Sequence, residues 1–175
     1  MPELTKIIDT TAVLGLKVFC QDVPATDLVD QPIIVEEELS PGALTAKHVH
    51  PHQDDSYDVL SGTLDVFLGG RWKSLQQGES IRIPKGTVHA IRNSTNVPTR
   101  VRNTYDPGLR FQESQEAMEH LIREGKLTGM SGLKNGIYLS LHSMQFREEF
   151  VAVSPPDWFL RVLAKLGRAL GFKLT

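Results

Sequence analysis

The chain has 175 residues, a formal net charge of −2 at pH 7, 40% apolar residues and 23% charged residues. A chain of this length can bury a substantial core in one domain, and its near-balanced charge excludes strong electrostatic attraction to nucleic acid. Cys20 is the single cysteine, which excludes an intrachain disulfide. The first residues lack the apolar run of a signal peptide, and no segment approaches about 18 consecutive apolar residues. We therefore expect a cytoplasmic protein that does not bind nucleic acid.

Short apolar segments separated by turn residues fill the first part of the chain. An entry segment or edge strand is expected at residues 7–19, and strands at 33–39, 44–50, 57–60, 63–68, 71–75, 79–83, 88–92 and 97–105. Short strands that recur about every 8–12 residues are typical of a β-sandwich or barrel. We therefore predict a mainly β barrel for residues 1–110.

The composition changes after Gly108, and three helices are predicted at residues 114–125, 137–146 and 158–170. Ser114 is the expected N-cap of the first. The last has an apolar face of Trp158, Phe159, Val162, Leu163, Leu166 and Leu170, opposite Arg161, Lys165 and Arg168. We expect residues 111–175 to be a helical extension of the same domain, with this apolar face packed on the barrel or across a dimer.

Three histidines and a carboxylate are the residues best able to carry chemistry. His48 and His50 are two apart in a predicted strand, so their side chains share one face. His89 follows the turn at Pro84-Lys85-Gly86 and is the natural third imidazole. Asp55 is the natural carboxylate, with Asp54 as its nearest competitor. An isolated strand histidine is usually a surface or core residue, but this pattern predicts an N/O site suited to Fe, Mn, Ni, Cu or Zn.

Other residues near these ligands are expected to line or surround a pocket. Alternation places Tyr57, Val59 and Ile91 toward the interior, which predicts an apolar pocket with one phenol. His52 is expected in a turn, and His120 and His142 are interpreted as structural or solvated.

Residues 42–93 resemble the two cupin motifs, G-x5-H-x-H-x(3,4)-E-x6-G and G-x5-P-x-G-x2-H-x3-N. The chain matches the first motif with every spacing kept and Asp in place of Glu, through Gly42, His48, His50, Asp55 and Gly62. It matches the second at every position, through Gly78, Pro84, Gly86, His89 and Asn93. The resemblance implies a cupin double-stranded β-helix (a jelly-roll barrel) with C-terminal helices packed outside it.

The same resemblance implies that His48, His50, Asp55 and His89 occupy the metal positions. It also implies a homodimer, for which residues 7–19 are the candidate pairing segment. Asp is one methylene shorter than Glu, about 1.5 Å of reach, and metal–oxygen bonds of about 2.0–2.2 Å leave little slack. Either the backbone moves inward, or a water molecule bridges the Asp55 carboxylate and the ion, or the three histidines alone hold the ion.

Three functions are compatible with these features. The first is a metal-dependent enzyme acting on a small, partly apolar organic molecule, such as a dioxygenase, isomerase or decarboxylase, with Asp55 and Tyr57 as candidate catalytic residues. The second is a small-ligand-binding module whose metal is structural or absent, which Asp55 slightly favours. The third is a peripheral membrane or partner-binding protein that uses the helix at residues 157–170, although a membrane is the less favoured partner.

Overall fold

The computed structural model describes residues 3–21 and 29–174. Pro24 and Asp27, which predict a loop between the segments at 7–19 and 33–39, lie outside the described residues. The strands are β1 Lys6–Asp9, β2 Leu16–Cys20, β3 Ile33–Leu39, β4 His48–Val49, β5 Asp54–Ser61, β6 Thr63–Leu68, β7 Arg71–Gln76, β8 Ser80–Ile83, β9 His89–Arg92, β10 Thr99–Asp106 and β11 Val151–Ala152. The helices are α1 Thr11–Leu14, α2 Phe111–Arg123, α3 Leu133–Gln145 and α4 Asp157–Ala169.

Two sheets enclose the barrel core, with strand orders β1-β2-β3-β10-β5-β8 and β11-β4-β9-β6-β7 and antiparallel pairing between neighbours. Alternate residues of these strands face inward because successive side chains of a strand point to opposite faces. The buried core cluster contains Leu39, Ala43, Tyr57, Val59, Leu64, Val66, Leu75, Ile83, Ile91 and Val101. The predicted inward direction of Tyr57, Val59 and Ile91 is therefore confirmed.

The tight turn between β5 and β6 requires a glycine. Gly62 has φ +79°, and a Cβ at this position would lie 2.9 Å from the carbonyl oxygen of Pro98. Both the positive φ and the close backbone exclude a larger residue without strain. This turn carries the chain from the six-stranded sheet, which contains β5, to the five-stranded sheet, which contains β6.

Most predicted strands are present with boundaries shifted by up to three residues, but the strand expected at residues 44–50 is largely absent. Only His48–Val49 is a regular strand, and Leu44 forms an isolated bridge to Arg92. Thr45 instead holds the segment beside β9, because its backbone N–H donates to the Ile91 carbonyl at 2.9 Å. The three predicted helices exist, but the first two begin earlier than expected. The N-cap assignment of Ser114 is wrong, since Ser114 is buried inside α2 and Arg110 holds the N-cap position.

The helical extension is joined to the barrel through β11, which pairs with β4 so that Ala152 lies opposite His48. Helices α3 and α4 pack on each other in a second apolar cluster that includes Leu121, Ile137 and Ala164. No helix within the described ranges is long and apolar enough to cross a bilayer.

The expectation that the apolar face of α4 packs against the barrel is wrong, and its alternative, packing across a dimer, stays a prediction. Leu160, Ala164 and Gly167 are the buried positions of α4, whereas Trp158 and Leu170 are exposed. The buried side of the helix is therefore built from small residues and one leucine, and most of its large side chains face away from the fold.

Candidate metal centre

Three imidazoles meet inside the barrel where β4 and β9 run side by side. His48 pairs directly with His89 across the two strands, and their ring centroids are 4.3 Å apart. His50 follows β4 by one residue, with its ring centroid 4.9 Å from that of His48 and 5.2 Å from that of His89. One nitrogen from each ring lies within 4.8 Å of the other two, a spacing that can hold a metal ion. The predicted convergence of His48, His50 and His89 is present in the structure.

Each of these rings is held by a backbone carbonyl at Nδ1. The acceptors are the carbonyl oxygens of Ala46 for His48 at 2.8 Å, of Thr87 for His89 at 3.0 Å and of Glu149 for His50 at 2.5 Å. A carbonyl can only accept, so each Nδ1 carries the proton and donates it. Each Nε2 is then left with a free lone pair, which is the arrangement found in metal-ligating histidines.

The atoms that face each other at the centre lack hydrogen-bond partners. Within the described residues, Nε2 of His50, Nε2 of His89 and both carboxylate oxygens of Asp55 are buried and unpaired. Oδ2 of Asp55 lies 3.3 Å from Nε2 of His89 and 4.0 Å from Nε2 of His50. Desolvated acceptors of this kind are costly unless a cation or proton lies between them. This set of nitrogen and oxygen donors therefore fits a divalent transition metal.

The charge state of the rings is also suited to metal binding. Burial, reinforced by the neighbouring His89 and His50, lowers the pKa of His48 to about 3. Burial also lowers the pKa of His50, against the opposing effect of the Asp55 carboxylate. Both rings are therefore neutral at pH 7, as ligands must be.

The two carboxylates that the sequence left in competition have different environments. Asp55 is completely buried on β5 beside His89 and His50. Asp54 lies on the outer side, where it accepts hydrogen bonds from the Arg82 guanidinium and from the backbone N–H of Lys85. The structure thus brings Asp55, not Asp54, to the three histidines.

A cavity of about 430 Å³ opens beside the centre and is lined by His48, His50, Tyr57 and Ile91, with Glu37 and Tyr105 also on the barrel side. Glu37 is buried, accepts a hydrogen bond from the Tyr105 hydroxyl at 3.2 Å on Oε1, and has no partner within the described residues on Oε2. Burial, followed by the charge of Asp55, raises the pKa of Glu37 to about 8. Glu37 is thus a neutral acid at pH 7 that can donate a hydrogen bond into the cavity.

Sequence reasoning missed Glu37, although a signal for it existed. Ile33, Val35, Glu37 and Leu39 alternate along β3 and are all buried. The three consecutive glutamates at 36–38 suggest a strand that leaves the core, but period-two alternation places Glu37 alone of the three on the inner face.

The extension closes the other side of the cavity with Phe150 and His142. The Phe150 ring lies between two imidazoles, 6.4 Å from His48 and 5.7 Å from His142 by ring centroids. His142 is buried, and its Nε2 lies 2.9 Å from the Ser114 carbonyl oxygen, to which it donates. Burial lowers the pKa of His142 to about 4, so the ring is neutral at pH 7. Its interpretation as a structural residue is incomplete, since it also lines the cavity.

The remaining polar candidates lie away from the centre. His52 is exposed and lies 2.9 Å from a carboxylate oxygen of Glu148. His120 is half-buried on α2. These two histidines are not part of the cluster.

The chain matches known proteins over its barrel. The family model for the Cupin domain matches residues 35–105. The germin-like protein subfamily 2 member 1 of Arabidopsis thaliana is 41% identical over 77 residues, which cover 41% of this chain and 35% of that protein. The chain spans about a third or less of the length of the first curated relatives it matches.

Solved structures agree on the architecture. A protein described as a predicted oxalate decarboxylase from Thermotoga maritima superposes with a TM-score of 0.52 and 15% identity, over 61% of this chain and 98% of that chain. An oxalate oxidase structure gives a TM-score of 0.51 and 23% identity, over 63% of this chain and 60% of that chain. At these identities the likeness concerns the fold alone, and it confirms the predicted double-stranded β-helix.

Proposed function

We propose that this chain, whose residues 35–105 match the model of the Cupin domain, is a metal-dependent cupin enzyme acting on a small, partly apolar organic molecule. The observation that carries the proposal is the set of buried, unpaired Nε2 atoms and the unpaired Asp55 carboxylate at one point of the barrel, among the described residues. These groups are arranged as ligands and have no other described role in holding the fold.

In this proposal His48, His50 and His89 hold the ion and Asp55 is a fourth ligand or a general base. The bound ion, from among Fe, Mn, Ni, Cu and Zn, supplies Lewis-acid or redox chemistry. Oδ2 of Asp55 lies 3.3 Å from Nε2 of His89, close enough for a single ion to contact both groups. The shorter Asp side chain is therefore compatible with a retained metal.

The cavity beside the centre would bind and orient the substrate. Its lining is mostly apolar, and volumes of a few hundred Å³ are typical of sites for small ligands. Burial, with the nearby Asp55 charge, raises the pKa of Tyr57, so its phenol keeps its proton and can donate to a substrate oxygen. Tyr57 is the second proposed catalytic residue, and the neutral Glu37 offers another donor.

Metal analysis tests this proposal most directly. Elemental analysis of the purified protein should find a stoichiometric transition metal in the parent chain and almost none after His48→Ala or His89→Ala. His52→Ala is the matched control, because His52 is exposed and outside the cluster. Absence of metal from the parent, or equal loss in the control, would contradict the metal centre.

Oxygen uptake by the iron-loaded protein, with a panel of small phenols and diketones, tests the dioxygenase-like form of the proposal. Turnover of one of them that His89→Ala abolishes would support it. Turnover without oxygen consumption would instead indicate an isomerase or decarboxylase.

A non-catalytic binding module is the second candidate, because Asp55 stands where the cupin motif has Glu and is not part of the three-histidine cluster. In that case small apolar ligands should bind with equal affinity to the parent and to a metal-stripped sample. Calorimetry on the two samples distinguishes this candidate from the metal-dependent enzyme.

We also propose a cytoplasmic homodimer that pairs through β1. This strand is at the end of the six-stranded sheet, and Ile7 on it is 55% exposed. An open strand edge is a template for pairing with a second chain. Light scattering should give twice the chain mass for the parent and a monomer for Ile7→Lys.

A further inference from the structure

A row of large apolar side chains on α4 faces away from the fold. Trp158, Val162, Leu166 and Leu170, here called the α4 stripe, recur every four residues and so share one face of the helix. Their exposed fractions are 66%, 59%, 45% and 62%, and the adjacent Phe159 is 42% exposed. Single exposed apolar residues need no explanation, but a contiguous row of this kind marks an interaction surface.

The orientation of α4 is fixed by close packing on its other side. Leu160, Ala164 and Gly167 are buried, and a Cβ added at Gly167 would overlap with the side chain of Ile137. A residue larger than glycine at position 167 would therefore prevent the close approach of α4 to α3. Rotation of α4 to bury the stripe would remove this contact, so the exposure of the stripe follows from the packing.

Basic side chains border the stripe along one side. Arg161, Lys165 and Arg168 are exposed and lie next to the stripe around the helix, and Lys173 follows shortly after it. Asp157 is the one acidic residue of α4, and it already accepts from Arg161 at 2.5 Å and lies 3.6 Å from Arg147. Lys165, Arg168 and Lys173 form no ion pair with any described residue.

We propose that α4 is a docking surface for an anionic lipid bilayer, on which the helix lies in the plane of the membrane. The stripe would enter the boundary between headgroups and acyl chains, with Trp158 at the interface that tryptophan prefers. Lys165, Arg168 and Lys173 would face the lipid phosphates. A second copy of the chain is a poorer occupant, because its α4 would bring the same cations and no unpaired acid.

Co-sedimentation of the full-length protein with vesicles tests this proposal. The parent should bind phosphatidylcholine vesicles that contain about 30% phosphatidylserine and bind pure phosphatidylcholine at least about tenfold more weakly. Lys165→Glu with Arg168→Glu should lower binding to the anionic vesicles by about tenfold or more. Arg71→Glu with Lys73→Glu on the exposed side of β7 makes the same charge change elsewhere and should leave binding unchanged.

A second variant and a fluorescence measurement separate lipid binding from other occupants. Val162→Glu with Leu166→Glu should abolish vesicle binding while leaving circular dichroism unchanged, because both side chains are exposed. In a Trp72→Phe background, the emission of Trp158 should shift to shorter wavelength on anionic vesicles. The proposal is overturned if the parent does not bind these vesicles or if the charge variant binds like the parent. It is also overturned if Val162→Glu with Leu166→Glu splits a lipid-free dimer, since the stripe would then be a protein interface.

Discussion

The barrel and the helical extension hold the three clustered imidazoles by different means. His48 and His89 donate from Nδ1 to the carbonyls of Ala46 and Thr87, each two residues away in the chain. His50 donates instead to Glu149, which is 99 residues away and belongs to the extension. Two rings are therefore oriented by local chain geometry, whereas the orientation of the third depends on the docking of a distant segment. The extension is part of the centre and not simply a cover for it.

The two regions also differ in how their polar groups are stabilised. On the barrel side, Nε2 of His50, Nε2 of His89 and the Asp55 carboxylate have no hydrogen-bond partner among the described residues, so binding of the proposed metal should raise the free energy of unfolding. On the extension side His142 is already hydrogen-bonded to the Ser114 carbonyl and is neutral. The contribution of the barrel side to the free energy of unfolding should therefore depend on bound metal. The contribution of His142 should depend on pH, and this dependence is best measured after metal is removed.

Replacing His142 should produce the largest effect on stability. Burial lowers its pKa from 6.5 to about 4, so the unfolded chain takes up this proton first as the pH falls. The contribution of the neutral ring is complete above pH 6.5 and is lost as the pH falls from about 6.5 to about 4. Over this pH range the free energy of unfolding should fall by about 2–3 kcal/mol less in His142→Gln than in the parent.

Denaturant unfolding at several pH values, with chelator present, measures this difference. The chelator removes metal from both proteins, so that the three clustered histidines contribute equally to the pH dependence of their stability. His52→Gln is the control, because this exposed residue lies outside the cavity, and its pH profile should follow that of the parent. Parallel profiles for His142→Gln and the parent would refute the role of burial at this position.

Replacing Asp55 should have the next largest effect, and it acts on the barrel side. Asp55→Asn removes a negative charge 3.3 Å from Nε2 of His89 and should weaken metal binding by about 10–100-fold. Asp54→Asn is the matched control one residue away, since Asp54 contacts Arg82 and Lys85 on the outer side. Titration with a competing chelator measures both affinities. Equal affinities for Asp55→Asn and the parent would leave the three histidines as the complete ligand set.

The barrel side of the centre was predictable because its ligands are positioned by turns and alternation. The spacing from Gly42 to Gly62 and from Gly78 to Asn93 gives the face on which His48, His50 and His89 lie, and the structure follows it. Alternation along β5 also explains why Asp55, and not Asp54, lies beside the histidines, since Asp55, Tyr57 and Val59 are the buried positions of this strand.

The extension side was not predictable, because its role depends on docking between segments far apart in the chain. The helical pattern of residues 137–146 gives no sign that His142 faces a cavity in the barrel, and nothing local links Glu149 to His50. The face of α4 was misjudged for a related reason. Hydrophobicity alone favoured burying Trp158 and Leu166, whereas the close approach to α3 selects the small residues Ala164 and Gly167.

Substitutions at two glycines of the α3–α4 pair should give the smallest of the expected changes, and they test whether close packing fixes the orientation of α4. Gly167→Ala places a Cβ against the stiff, β-branched side chain of Ile137 and should destabilise the protein by about 1–2 kcal/mol, even though alanine is the better helix former. Gly136→Ala in α3 meets only the flexible end of Leu163 at 3.4 Å and should be neutral or stabilising by up to about 1 kcal/mol. Thermal denaturation of both variants measures the contrast. If Gly167→Ala were as stable as Gly136→Ala, α4 would be free to shift on α3, and the exposure of its apolar stripe would no longer follow from packing.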